Sequence, residues 1–195
     1  MQTKENTKIQ VANSQPLLHQ KGVEIQEFGT LRELPIALDT LARSESCQSL
    51  NQILADTIVL YHLYKKHHWL MRGQTFYQLH LLLDKHAGEQ IELIDTIGER
   101  VQTLGGVAIA DPRHVAEVTK IERPPNGVEE VPVMISRLLE AHEVIISELR
   151  EAIKITANNN DEGSNDLLVS QVLRTNELQV WFLAEHLVDT PLVKS

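Results

Sequence analysis

Five residues between positions 68 and 99 set imidazoles and carboxylates at helical spacing: His68, His80, Asp84, Asp95 and Glu99. His80 and Asp84 are i and i+4, as are Asp95 and Glu99, so each pair shares a helix face. Asp84 and Asp95 stand eleven apart, close to three full turns, so all four point the same way from one helix. His68 comes just before the tight turn at Arg72-Gly73 and leans from there across to His80. Two imidazoles and three carboxylates make a mixed nitrogen and oxygen donor set suited to Fe(II); Zn(II) fits the same ligands.

Distance decides how these ligands combine. At the rise of a straight helix, His80 and Asp95 are separated by roughly 22 Å, whereas a direct ligand must come within about 2.0–2.6 Å of its metal. One chain therefore cannot close both halves around one ion. A two-fold axis that pairs antiparallel copies of this helix brings the His half of one chain to the acid half of the other. Taken singly, an i, i+4 acid pair is an ordinary solvated face and a lone histidine an ordinary core or surface residue. The collection on one stripe, flanked by apolar residues, is what points to metal.

The elements that carry the stripe follow from apolar periodicity. A first helix starts near Ser44 or Ser46 and carries Leu50, Ile53, Leu54, Thr57, Ile58, Tyr61, Tyr64 and His68 on one face until Gly73 stops it. A second runs from an N-cap at Thr75 to Gly105-Gly106. A connection over 107–128, with Pro112, Pro124 and Pro125, leaves room for a short helix at 112–119. A third helix covers roughly 130–156 and a fourth about 166–188, separated by a polar stretch from Asn158 to Asn165. No segment sustains period-two alternation. Four helices with one long crossover between the second and third predict an all-α, ferritin-like four-helix bundle. The bundle domain spans 23–195, with 23–39 packed on it as a lead-in, and residues 1–22 read as a polar, flexible tail.

Composition narrows the function. A chain of 195 residues supports one domain, and its apolar runs are far shorter than the roughly 18 residues a membrane span needs. The first ten residues hold no apolar stretch of a secretory leader, and the lone Cys47 precludes an internal disulfide; both fit a reducing cytoplasm. Cys47 itself reads as a small buried or bystander residue. The net charge is −9, which disfavours nucleic-acid phosphates and favours cations. The tail carries +2 from Lys4, Lys8 and Lys21 against Glu5, so DNA binding is expected to be weak or absent.

The segment KKHHWLMRGQTFYQLHLLLDKH, continued by ELIDTIGERVQTLGGVAIA, resembles the ferroxidase segment of the Dps family of mini-ferritins. That pattern is a His-Trp pair, a Gly turn, Phe, Leu-His, an Asp four residues on, then Asp-x-x-x-Glu-Arg and Leu-Gly-Gly. Every element stands here at the family's spacing, and weaker similarity extends over ELREAI and VWFLAEHL. The resemblance implies a dodecameric shell with a dinuclear iron site at each end of its dimer interface. His68, His80 and Asp84 would come from one subunit, and Asp95 and Glu99 from its neighbour. Asp84 and Glu99 would be the bridging or direct carboxylates. The implied reaction oxidises Fe(II), by preference with H2O2 and otherwise with O2, and stores Fe(III) as mineral, which protects against oxidative damage.

Lys65 and Trp69 also match family positions near the site. Trp69 reads either as an electron donor or shield or as an aromatic packed at a dimer contact. His62 and His67 receive no role, with His67 read as a solvated neighbour. By the resemblance, acidic residues near the end of the third long helix and in the next loop line iron-entry pores. Asp161, Glu162 and Asp166 are the candidates, against the plain alternative of a solvated acidic loop. Three rivals remain. A larger ferritin or bacterioferritin needs Glu-x-x-His motifs inside each bundle, and no glutamate here has a histidine three residues later. A DNA-compacting protein with little ferroxidase activity needs a more basic tail, and a purely structural assembly would oxidise no iron.

Overall fold

A computed structural model describes residues 22–189; the polar segment before them, read above as a flexible tail, lies outside the described residues apart from Gly22. The chain order is α1 (Thr40–Leu70), α2 (Phe76–Thr103), α3 (Pro112–Val118), α4 (Val131–Asn158) and α5 (Glu162–Asp166). A π-helical stretch, Leu167–Leu173, then leads into α6 (Arg174–Ala184) and a final 3-10 turn, Glu185–Leu187. Among the described residues there is no strand. Helix α1 packs between α2 and α4, and α4 packs on α6, which closes the four-layered bundle expected from periodicity.

The start of α1 lies earlier than Ser44 or Ser46. Asp39 is the N-cap, its carboxylate accepting from the amides of Leu41 at 2.8 Å and Ala42 at 3.4 Å. That satisfies two of the donors a helix start leaves open, while Ser46 is fully buried about two turns further on. Thr75 does precede α2, but its side chain makes no cap bond. Asp111 caps α3 with Pro112 at its first position. The fourth long rod starts at Glu162, before the expected Asp166, because Asp161 caps it by accepting from Ser164 N at 3.0 Å.

Buried polar groups on α1 pin the rest of the chain. Asn51 donates to Val107 O at 3.0 Å and accepts from Ile109 N at 2.9 Å. The fully buried Asp56 accepts from Lys120 N at 2.8 Å and Thr119 Oγ1 at 2.5 Å. Together they hold the crossover on α1. Buried Arg43 donates to the carbonyls of Arg32 at 3.0 Å and Leu104 at 3.4 Å, tying the lead-in down. Gly105 at that junction has φ +88°, and a Cβ there would lie 2.5 Å from Arg32 O. Only glycine fits both demands. The apolar core gathers Leu50, Leu54, Leu83, Ile97, Met134, Leu138, Ile145, Leu168 and Leu183 from the four long rods.

Candidate metal centre at the end of the bundle

The turn between α1 and α2 is short, so the C-terminal end of α1 meets the first turns of α2. There His68 and His80 stack, ring centroids 3.8 Å apart and planes inclined by 20°. Each imidazole Nδ1 faces the other residue's carbonyl: His68 Nδ1 lies 2.8 Å from His80 O, and His80 Nδ1 lies 3.0 Å from His68 O. A carbonyl only accepts, so both rings carry their proton on Nδ1 and keep the Nε2 lone pair free. This is the device by which metal-binding histidines are oriented and their tautomer selected. His68 Nε2 lies 3.9 Å from Asp84 Oδ1. Lys65 Nζ donates to that oxygen at 2.6 Å, and this bond first of all holds the Asp84 carboxyl below the usual carboxylate range. The Lys65 ammonium also stands 5.9 Å from the centroid of the exposed Trp69 ring.

The acid half sits elsewhere on α2. Asp95 and Glu99 are exposed, on the same stripe as His80, Asp84, Gly88 and Ile91. Among the described residues, no three His, Cys, Asp or Glu side chains of one chain converge on one metal position. The His half, built at the α1–α2 junction, and the acid half are thus two separate groups along the exposed stripe of α2. Between them the stripe is smooth: a Cβ at Gly88 would touch nothing within 4 Å, and Ile91 is 47% exposed.

Of the pore candidates, Glu162 and Asp166 are exposed, and Asp166 shares an open depression with Glu99. Asp161 does not fit the role. Its side chain is 1% exposed and pairs with Arg100 Nη2 at 2.6 Å. Burial pushes that carboxyl up, but the Ser164 bonds and Arg100 outweigh it and hold it below the usual range. It is a cap and an ion-pair partner between α2 and the loop, where sequence position alone suggested a pore. His67 also departs from expectation: it is fully buried, not solvated, and neither ring nitrogen has a partner. His62 is exposed beside Tyr61.

Spacing on α2 did not disclose a second polar group, deep in the bundle. Tyr64 of α1 is fully buried between His142 of α4, whose Nε2 is 2.6 Å from the phenol oxygen, and His86 of α2, whose Nδ1 is 3.2 Å from it. Asn176 and Gln179 of α6 complete the group with Gln90. The signal available was an inward Asn-x-x-Gln on the last helix, a polar pair where an apolar i, i+3 pair belongs. Burial drives the imidazoles down, His142 to about 3 and His86 and His67 each to about 4.

These three histidines predict an acid-sensitive bundle. Their folded pKa values lie below the unfolded value of about 6.5, so the unfolded chain binds more protons as pH falls. Their contribution is complete above about 6.5 and is lost progressively down to about 3. Glu148, raised by burial to about 7, works in the opposite direction above pH 4.5, one group against three. Thermal midpoints should fall between pH 7 and pH 5, and His142→Gln should flatten that slope; an unchanged slope would refute the assignment.

The ferritin family model, a ferritin-like domain, matches residues 47–193. The solved structure of DpsC from Streptomyces coelicolor superposes with a TM-score of 0.87 at 69% identity, covering 88% of this chain and 100% of that one. The chain belongs to the Dps family. Further Dps relatives include the nutrient stress-induced DNA-binding protein of a Synechococcus strain, 33% identical over 78% of this chain and 87% of that protein. An uncharacterized protein in the bpoA2 5' region of Kitasatospora aureofaciens is 64% identical over 71% of this chain and 93% of its own length. Membership of the Dps family accounts for the all-helical fold and the long crossover. Among the described residues no helix is long and apolar enough to cross a membrane.

Proposed function

We propose that this chain is a ferroxidase and iron-storage subunit. It assembles in the cytoplasm into a dodecameric shell, oxidises Fe(II) at sites shared across two-fold interfaces, preferably with H2O2, and keeps the ferric product inside as mineral. The observation that carries this reading is the His68/His80 pair, held by reciprocal carbonyl bonds that leave both Nε2 atoms free, that of His68 3.9 Å from Asp84 Oδ1. The smooth stripe between this half and Asp95/Glu99 supports antiparallel packing of two α2 helices, which would set the His half against the acid half.

In such a site the imidazoles supply neutral donors and the carboxylates balance the charge of two Fe(II) ions. Two irons together deliver the two electrons that reduce H2O2 to two hydroxide ions, so no hydroxyl radical is released. Lys65 holds Asp84 ionised until metal displaces it. Glu162 and Asp166, repeated around a three-fold axis, would draw cations toward an entry pore. In a test, His80→Ala or Glu99→Ala should leave the assembled mass unchanged and slow Fe(II) oxidation by at least about tenfold, the low end of what lost metal-site groups cost. Wild-type initial rates in both variants would overturn the proposal.

A second reading deserves its own test because the Synechococcus relative is named as DNA-binding. With −9 overall and only +2 on the first 22 residues, few phosphates can be neutralised. Duplex DNA should not be retained in a gel-shift at about 150 mM salt, where surface charges are screened beyond about 8 Å. Tight retention there would favour DNA compaction.

A further inference from the structure

The buried group around Tyr64 has a determined hydrogen-bond direction. Asn176 Nδ2 donates to Val172 O at 2.7 Å, which turns its Oδ1 toward His142. His142 Nδ1, 2.8 Å away, must therefore carry the proton, and its Nε2 is left as a bare acceptor. The Tyr64 hydroxyl then has one place to donate, His142 Nε2 at 2.6 Å, while its oxygen accepts from His86 Nδ1 at 3.2 Å. A phenol held by a fixed base, sealed from water and one helical turn (about 6 Å of rise) from His68, is arranged to lose an electron without losing its proton to solvent.

We propose that Tyr64 is a reversible one-electron donor to the iron site, its proton passing to His142 as the electron leaves. The proposal rests on the iron-oxidising reading above. Where a site holds a single Fe(II), peroxide takes one electron from it and leaves hydroxide and a hydroxyl radical. One electron from Tyr64 converts that radical to hydroxide. The Tyr64 O–H bond breaks, its proton bonds to His142 Nε2, and the products are a neutral phenoxyl radical and an imidazolium. A later Fe(II) returns the electron and becomes Fe(III). The proton then goes back, because a charged imidazole in this core is unfavourable and the amide of Asn176 cannot pass it on. Trp69 is the poorer donor: it is 72% exposed, and the Lys65 ammonium near its ring opposes an indole radical cation.

The chain holds three tyrosines, so Tyr61→Phe with Tyr77→Phe leaves Tyr64 alone and untouched. Shells of this double variant would be oxidised in two ways and frozen for electron paramagnetic resonance. One uses limiting Fe(II) with H2O2; the other uses no iron but flash-photolysed ruthenium tris-bipyridine with persulfate. Both should give a tyrosyl signal with couplings to exchangeable protons, the stronger from His142 at 2.6 Å and the weaker from His86 at 3.2 Å, that disappear in D2O. His142→Gln in the same background should remove the stronger coupling, leave the one from His86, and shorten the radical's life. No tyrosyl signal in the photochemical arm, with the oxidant consumed, overturns the donor whatever the iron does. A signal there but none with iron, in shells that oxidise Fe(II), overturns its task at the site. A photochemical signal in shells that oxidise no Fe(II) at all overturns the iron reading, and the relay's task with it.

Discussion

Shells built from two defective chains should regain activity that neither possesses alone. One chain lacks the His half (His68→Ala with His80→Ala) and the other the acid half (Asp95→Ala with Glu99→Ala). Each by itself should be nearly inactive. On the stripe of α2 the two halves lie roughly 22 Å apart, and no single chain brings three of these side chains together among the described residues. If the site is shared across a two-fold axis, each mixed dimer has one site with both halves altered and one with both intact. Co-expressed or co-refolded chains should then recover a substantial fraction of the wild-type rate of Fe(II) oxidation. Mass spectrometry must show both chains in the shells. Mixed shells as inactive as their parents would mean that the ligands act within one chain.

The largest loss of stability is expected at Arg100. Its guanidinium lies against Gly163, where a Cβ would come within 2.8 Å of Nη2. It donates to Ser164 Oγ at 2.9 Å and Asp161 Oδ1 at 2.6 Å. Arg100→Ala strands a carboxylate that is 1% exposed, and since Arg100 itself is 22% exposed, the loss should lie toward the low end of the about 3–5 kcal/mol that breaking a buried ion pair costs. The denaturant midpoint should drop accordingly. Adding Asp161→Asn should restore part of it, because the stranded charge is then gone. Equal midpoints for Arg100→Ala and wild type would show that solvent already reaches Asp161.

The long helices, the crossover and the short α3 were legible because each writes a period or a cap into the residues. So was the stripe of His80, Asp84, Asp95 and Glu99, since α2 shows one exposed face. Helix α1 was harder. It buries Arg43, Asn51, Asp56, Thr57 and His67 as well as its apolar residues, so no single polar face marks its register, and Ser46 looked like a cap. Asp161 looked like a pore residue because its neighbours are acidic; its actual partner, Arg100, is 61 positions away. Pairings of that separation leave no local trace. Tyr64, His86 and His142 were invisible for the same reason, each a group member only after packing, and only the inward Asn176 and Gln179 of the last helix left a sign of it.

The π-helical stretch Leu167–Leu173 acts as a length gauge for everything after it. It takes up one residue more per turn than an α-helix, so α6 presents Asn176, Gln179 and Leu183 inward while Leu178, Trp181 and Phe182 stay exposed. Deleting one residue there would let the stretch relax into a plain α-helix and leave α6 in register, whereas inserting one more, with the wide turn already used, would rotate α6 by about 100°. Thr175 would then stand where Asn176 meets His142, and Leu178 where Gln179 meets Gln90. A lengthened descendant would therefore lose both amides from the middle of its core. The last helix can give up a residue at this point far more readily than it can gain one.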